Sequence, residues 1–189
     1  MTVEPQLETP RLLLRLMRAS DLDDLLHILG DPQVMAAFDA APFDRRQMAG
    51  WLQRNLDHQE QYGYGLFSVI LKPKWLLIGD CGLEHMELDG IQTTELGYDF
   101  RSDYWNRGLA TEAAGAVRDY AFRVLRLPEL VSLIRVGNQA SRRVAEKVGM
   151  RLEAEIARSG ITYWKFALVN SPERGTVRRA APGPEMEGS

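Results

Sequence analysis

The 189-residue chain carries a formal net charge of −3, with 45% apolar and 26% charged residues, the profile of one ordinary globular domain. That balance excludes the basic excess of a duplex nucleic-acid binder, and no apolar stretch nears the roughly 20 residues that span a bilayer. The single cysteine, Cys81, excludes an internal disulfide framework and argues against a cysteine-based zinc site.

The first residues, Met1 to Gln6, are polar and lack the apolar run of a signal peptide, so a cytoplasmic protein is expected. Arg11 to Met17 reads as a first strand. Ser20, with Asp21, Asp23 and Asp24 behind it, suits a helix N-terminus. Leu22, Leu25, Leu26 and Leu29 then repeat at helical spacing up to Gly30. Asp31 to Phe43 reads as irregular. Asp44 caps a second helix, marked by Met48, Trp51, Leu52 and Leu56 and ending near Tyr62-Gly63.

Strands follow over Gly65 to Leu71, Trp75 to Met86 and Thr93 to Phe100, with turns at Lys72-Pro73-Lys74 and Leu88-Asp89-Gly90. Beyond a polar loop, Ala110, Ala113, Ala114, Val117, Ala121 and Val124 form a helical stripe that Pro128 ends. Leu130 to Val136 is a strand. Ala140 to Val148 is a short helix closed by Gly149. Met150 to Ile156 and Ile161 to Val169 are the last strands. Residues 1–169 are therefore read as one domain, and 170–189, rich in Gly, Pro, Ala and charge, as a disordered tail. The order predicts a mixed α/β (α+β) sheet of about seven strands with about four helices.

The segment from Glu95 to Ala113 runs strand, polar loop, glycine, helix. A helix start presents backbone N–H groups without intrahelical partners at the positive end of the dipole, a ready anion site. Gly108 lets a phosphate approach the backbone, Arg107 adds a positive charge and Thr111 a hydroxyl; a tight turn and a simple cap are the plainer readings. Neither a Walker loop nor a dinucleotide fingerprint is present.

Tyr104 to Ala113 (YWNRGLATEA) resembles the acetyl-CoA pyrophosphate loop of the GNAT superfamily of N-acetyltransferases, Q/R-x-x-G-x-G/A. Gly108 and Ala110 match its last two fixed places. Trp105 takes the first, a departure shared with the RimJ/RimL branch, which acetylates ribosomal-protein N-termini. Thr9 to Arg15 (TPRLLLR), Ile78-Gly79, Gly82-Leu83, Glu95 to Tyr98 (ELGY), Asn138 to Ser141 (NQAS) and Glu146 to Met150 (EKVGM) follow in that branch's order, so the resemblance covers about residues 7 to 169.

The resemblance implies that the fourth and fifth strands splay around the cofactor. The backbone of Tyr98 to Phe100 would pair with pantetheine amides. The N–H groups of Asn106, Arg107, Gly108, Leu109, Ala110 and Thr111 would cradle the pyrophosphate, with Asn138 and Ser141 beside the thioester. Glu95 becomes the candidate base, directly or through a water, against the plainer reading of a solvated strand residue. Ser141 becomes the candidate partner of the departing sulfur, or an N-cap of the following helix. The tyrosine acid of many relatives has no counterpart after Asn138. Tyr98 could face the acceptor or simply join the core.

His27, His58 and His85 lack metal-ligand spacing, so satisfied or surface roles are expected and no metal. Cys81 reads as a small buried residue rather than a nucleophile. The expected activity is acetyl transfer from acetyl-CoA to an amine, a protein N-terminus or a small molecule. A non-catalytic acyl-CoA-binding sensor or subunit, and an enzyme using a longer acyl group or an oxygen acceptor, are the competing readings. Monomer and homodimer both fit, and the acceptor is not legible.

Overall fold

The computed structural model describes residues 6–170. The tail expected over 170–189 therefore lies, beyond Asn170, outside the described residues. The elements are β1 (Gln6–Glu8), β2 (Leu12–Leu16), α1 (Leu22–Leu29), α2 (Pro32–Met35), α3 (Arg45–Tyr62), β3 (Leu66–Leu71), β4 (Leu76–Leu88), β5 (Ile91–Phe100), α4 (Leu109–Arg123), β6 (Glu129–Arg135), α5 (Gln139–Lys147), β7 (Arg151–Arg158) and β8 (Ile161–Val169). The strands form one sheet in the order β1-β2-β3-β4-β5-β6-β8-β7. Every neighbouring pair is antiparallel except β5 with β6.

The mixed α/β expectation holds, with one more strand and one more helix than expected. The extra strand is β1. Thr9 receives the Leu12 N–H on its hydroxyl at 2.9 Å and returns its own N–H to the Leu12 carbonyl at 3.0 Å, turning the chain back on itself. Three residues are too few to register as an alternating pattern. The extra helix is α2, inside the stretch expected to be irregular. Asp31 caps it by accepting the Gln33 N–H at 2.8 Å, and Pro32 stands at its first position.

Two further expectations are corrected. Ser20 is not a cap: it lies in a 3-10 turn, Ala19–Asp21, that leads into α1. Val124 follows the end of α4 and is 66% exposed, so the stripe stops at Ala121. Asp44 does cap α3, in a reciprocal box with Gln47, a device worth about 1 kcal/mol.

The β4–β5 hairpin sets the chemistry by its register. Asp89 (φ 53°) and Gly90 (φ 79°) both adopt left-handed conformations between Leu88 and Ile91, a primed two-residue turn matching the twist of paired strands. Counting back from it, Glu84 lies opposite Glu95, Gly82 opposite Gly97 and Asp80 opposite Asp99. Side chains alternate across a strand, so these three pairs share one face. Leu83, Leu96, Cys81 and Phe100 share the other, against α4.

Two cores result, one per face. Leu14, Phe67, Ile78, Leu96 and Leu130 pack against α4, whose Ala113, Ala114 and Ala121 let it lie close to the sheet. On the opposite face, α1, α2 and α3 bury Leu25, Ile28, Met35, Met48 and Leu52 with Leu66 and Leu77 of the sheet. Among the described residues no helix is long and apolar enough to cross a membrane.

Candidate active site

The two parallel strands share a single register, Glu95 opposite Val131, and then diverge. Divergence strands the Leu133 N–H without a ladder acceptor, and the Glu95 carboxylate takes it at 3.0 Å. Glu95 is thus fixed at the apex of a fork in the sheet. Burial pushes its carboxyl up to about 7; the Leu133 N–H opposes the rise, Glu84 adds to it and Arg158 opposes it. The expected splay is present, between the strands labelled β5 and β6 once β1 is counted.

Gly108, at φ 73°, turns the chain into α4 from a left-handed conformation that costs other residues about 1–2 kcal/mol. A side chain there would meet nothing nearer than Arg11 at 3.7 Å, so the backbone angle rather than crowding calls for glycine. The helical ladder begins with the Glu112 N–H on the Gly108 carbonyl, leaving the N–H groups of Leu109, Ala110 and Thr111 without intrahelical acceptors. Asn106 is also left-handed, at φ 60°. Arg107 donates to the Asp103 carbonyl at 2.8 Å and lies over the Tyr104 ring, as do Lys74 and Arg101.

Sequence reasoning missed the brace behind this loop. Arg11 donates to the Arg107 carbonyl at 2.9 Å and to Glu112, in the first turn of α4, at 2.6 Å. Thr9 adds its hydroxyl to the same carboxylate at 2.6 Å. The Thr9-Pro10-Arg11 turn thereby holds the loop from about a hundred residues away in sequence. The signal was in the TPRL segment, read only as a strand.

At the other end of the fork, Asn138 is the cap of α5: its side-chain oxygen accepts the Ser141 N–H at 3.1 Å. The capping role considered for Ser141 therefore belongs to Asn138, because the helix starts at Gln139. The Ser141 hydroxyl makes no hydrogen bond among the described residues. Tyr98 donates its hydroxyl to the Ser141 carbonyl at 2.8 Å, tying β5 to α5; burial pushes its phenol upward. Phe100 is buried, and its carbonyl accepts the Trp105 indole N–H at 2.8 Å.

The residues the sequence did not disclose as a group are the acids sharing the Glu95 face. Asp80 is 1% exposed and lies opposite Asp99. Burial pushes Asp80 well up, with Asp99 and Glu84 adding to it, while burial and Glu84 push Asp99 up to about 7. Both Asp80 oxygens lack a hydrogen-bond partner among the described residues. The signal was symmetry: these acids stand equidistant from the Asp89-Gly90 turn.

Other candidates fall away. Cys81 is fully buried, and burial pushes its thiol up, away from nucleophilic use. His58 is a satisfied strut, receiving the His85 N–H at 2.8 Å while its other nitrogen meets the Tyr64 carbonyl at 3.1 Å.

A cavity of about 1190 Å³ joins these parts, running from the Gly108 loop past Glu95 and Ser141 to Val34 and Trp51 on the α2–α3 side. It meets both ends of the fork: a cationic loop suited to phosphates and a carboxylate poised near neutrality.

Known proteins share this architecture. Residues 11–151 match the family described as "Acetyltransferase (GNAT) domain". YkkB of Bacillus subtilis (strain 168) is 34% identical over 157 residues, 82% of this chain and 91% of that protein. An acetyltransferase from Agrobacterium tumefaciens str. C58 superposes with a TM-score of 0.76 at 30% identity, covering 89% of this chain and 96% of that one. The ribosomal-protein-S5-alanine acetyltransferase of Vibrio fischeri, at 18% identity and a TM-score of 0.70 over 88% and 97% of the two chains, shares the fold. The chain belongs to the GNAT acetyltransferase family and is an acetyl-CoA-dependent acyltransferase.

Proposed function

We propose that the protein transfers the acetyl group of acetyl-CoA directly to a primary amine in a ternary complex, with Glu95 as the base. One observation carries this reading: the Glu95 carboxylate, raised to about 7, is pinned where the sheet forks inside a cavity that also reaches the Gly108 loop. A base with a pKa near the working pH combines a useful ionised fraction with useful proton affinity.

The chain's residues suit the CoA ester. The free N–H groups of Leu109, Ala110 and Thr111, with Asn106, Arg107 and Gly108, would hold the pyrophosphate. The open edge of β5 from Tyr98 to Phe100 would carry the pantetheine arm. The attacking amine forms a bond to the thioester carbonyl carbon and yields its proton to Glu95, directly or through a water. The carbon–sulfur bond breaks, and the Ser141 hydroxyl hydrogen-bonds the departing thiolate, which takes its final proton from solvent. Tyr98 is a positioning residue here, holding Ser141 through its carbonyl. Asn138 does the same from the Ser141 N–H. An α-amine, with a pKa of about 8, suits this arrangement as a protein N-terminus; small amines fit the same chemistry.

Calorimetry with acetyl-CoA tests the cofactor half. The parent protein should bind, and Gly108→Trp, which forces an unfavourable backbone angle and fills the loop, should weaken binding by about a hundredfold or more. Equal binding by both folded proteins would overturn the loop assignment.

A further inference from the structure

We propose that the acceptor is a linear diamine or polyamine, with its reacting amine at Glu95 and a second ammonium held between Asp80 and Asp99. This rests on the acetyl-transfer reading above and adds the class of substrate to it.

The fold leaves one buried acid unused. Asp80 is buried to 1% exposure, yet neither carboxylate oxygen has a hydrogen-bond partner among the described residues. Buried polar groups are nearly always satisfied, and a buried carboxylate without donors is costly. Asp80 also lines the cavity, as does Asp99 opposite it. An ammonium supplies three donors and a positive charge, and would satisfy both carboxylates at once.

The spacing sets the length of the ligand. Asp99 and Glu95 are four residues apart on β5 and point to the same face, which places them roughly 13 Å apart along the strand. Between them lies Gly97, where an added side chain would meet nothing within 4 Å. Gly82, its partner on β4, is covered by the backbone of Gly65 and Leu66, so the open part of the floor runs along β5, where a methylene chain can lie. Trp51, Leu66 and Phe38 line the same cavity, giving apolar surface for such a chain.

The test is steady-state acetylation, followed by release of free thiol, across α,ω-diamines from diaminopropane to diaminododecane and the matching n-alkylamines. The account expects KM to fall at an intermediate diamine length, about tenfold or more below the monoamine of that length. Asp80→Asn should erase that advantage, raising KM for the diamine about tenfold while leaving kcat, the monoamine KM and calorimetric acetyl-CoA affinity unchanged. Gly97→Val, which fills the floor, should also abolish the length preference without altering acetyl-CoA affinity. Diamines and monoamines turned over with equal KM at every length, or an Asp80→Asn protein that keeps the diamine preference, would overturn the proposal while leaving acetyl transfer standing. Intact acetyl-CoA binding with no turnover of any amine would overturn both readings.

Discussion

Two buried carboxylates in one region of the sheet have opposite fates. Arg15, Ser68, Asp80 and Asp99 stand opposite one another across β2, β3, β4 and β5. At one end of this row, Asp21 accepts from Arg15 at 2.7 and 2.8 Å, from Ser68 at 2.7 Å and from the Arg18 N–H at 3.0 Å. Burial alone would raise its carboxyl, but these donors bring it below the usual range. At the other end, Asp80 has no donor among the described residues and its carboxyl rises. A satisfied acid ties α1 to the sheet; an unsatisfied one borders the cavity, where a substrate can complete it.

The sharpest way to break this contrast is to remove each acid in turn. Asp21→Ala removes the carboxylate to which Arg15, Ser68 and the Arg18 N–H donate, and should cost about 3–5 kcal/mol in denaturant unfolding. Asp80→Asn removes no hydrogen bond among the described residues and relieves the burial of an acid without donors, so stability at neutral pH should hold or rise. Comparable losses in the two variants would erase the distinction.

The pH dependence of stability sharpens it next. Asp80, Asp99 and Glu95 have folded pKa values above their unfolded ones, so their contribution is complete below about pH 4 and is lost as pH rises through the folded values, about 7 for Asp99 and Glu95. Glu95 alone, moving from 4.5 to about 7, accounts for about 3 kcal/mol of this loss. Asp21 and Glu112 have the opposite sign: their contribution is present above the unfolded carboxylate range and is lost as pH falls through their lowered values. Unfolding free energies measured from pH 5 to pH 8 should therefore fall, and fall less steeply in Glu95→Gln. An identical slope in that variant would mean that Glu95 does not titrate as its burial demands.

Ser141 gives the smallest effect. Loss of one hydrogen bond to the departing thiolate is worth about 1.5 kcal/mol, so Ser141→Ala should lower kcat about tenfold with acetyl-CoA affinity unchanged. A loss as deep as that of a base would give Ser141 a larger role.

Much of the fold was legible because its signals are local. The alanine stripe of α4, the glycine before it and the Asp44 cap each depend on neighbours within a turn or two. Glu95 was found through a family motif, but its elevated carboxyl was not. That property needs the fork, the stranded Leu133 N–H and the opposing Glu84, all set by pairings distant in sequence. Asp80 and Asp99 stayed hidden for a similar reason: their pairing depends on a turn nine residues away. Ser141 reads as a cap only if α5 begins at Arg142; the helix begins three residues earlier, at Gln139, which gives the capping role to Asn138. The Arg11–Glu112 brace joins positions 101 residues apart, beyond any periodic pattern.

The role of Glu95 as base is decided by the turnover of Glu95→Gln with saturating acetyl-CoA and amine, alongside its calorimetric affinity for acetyl-CoA. Glutamine keeps the shape at the fork but cannot accept the amine's proton. The account predicts a kcat lowered by about a hundredfold or more with cofactor affinity preserved. Full turnover by the folded variant with every amine tested would contradict it, and the base would have to be sought elsewhere in the cavity.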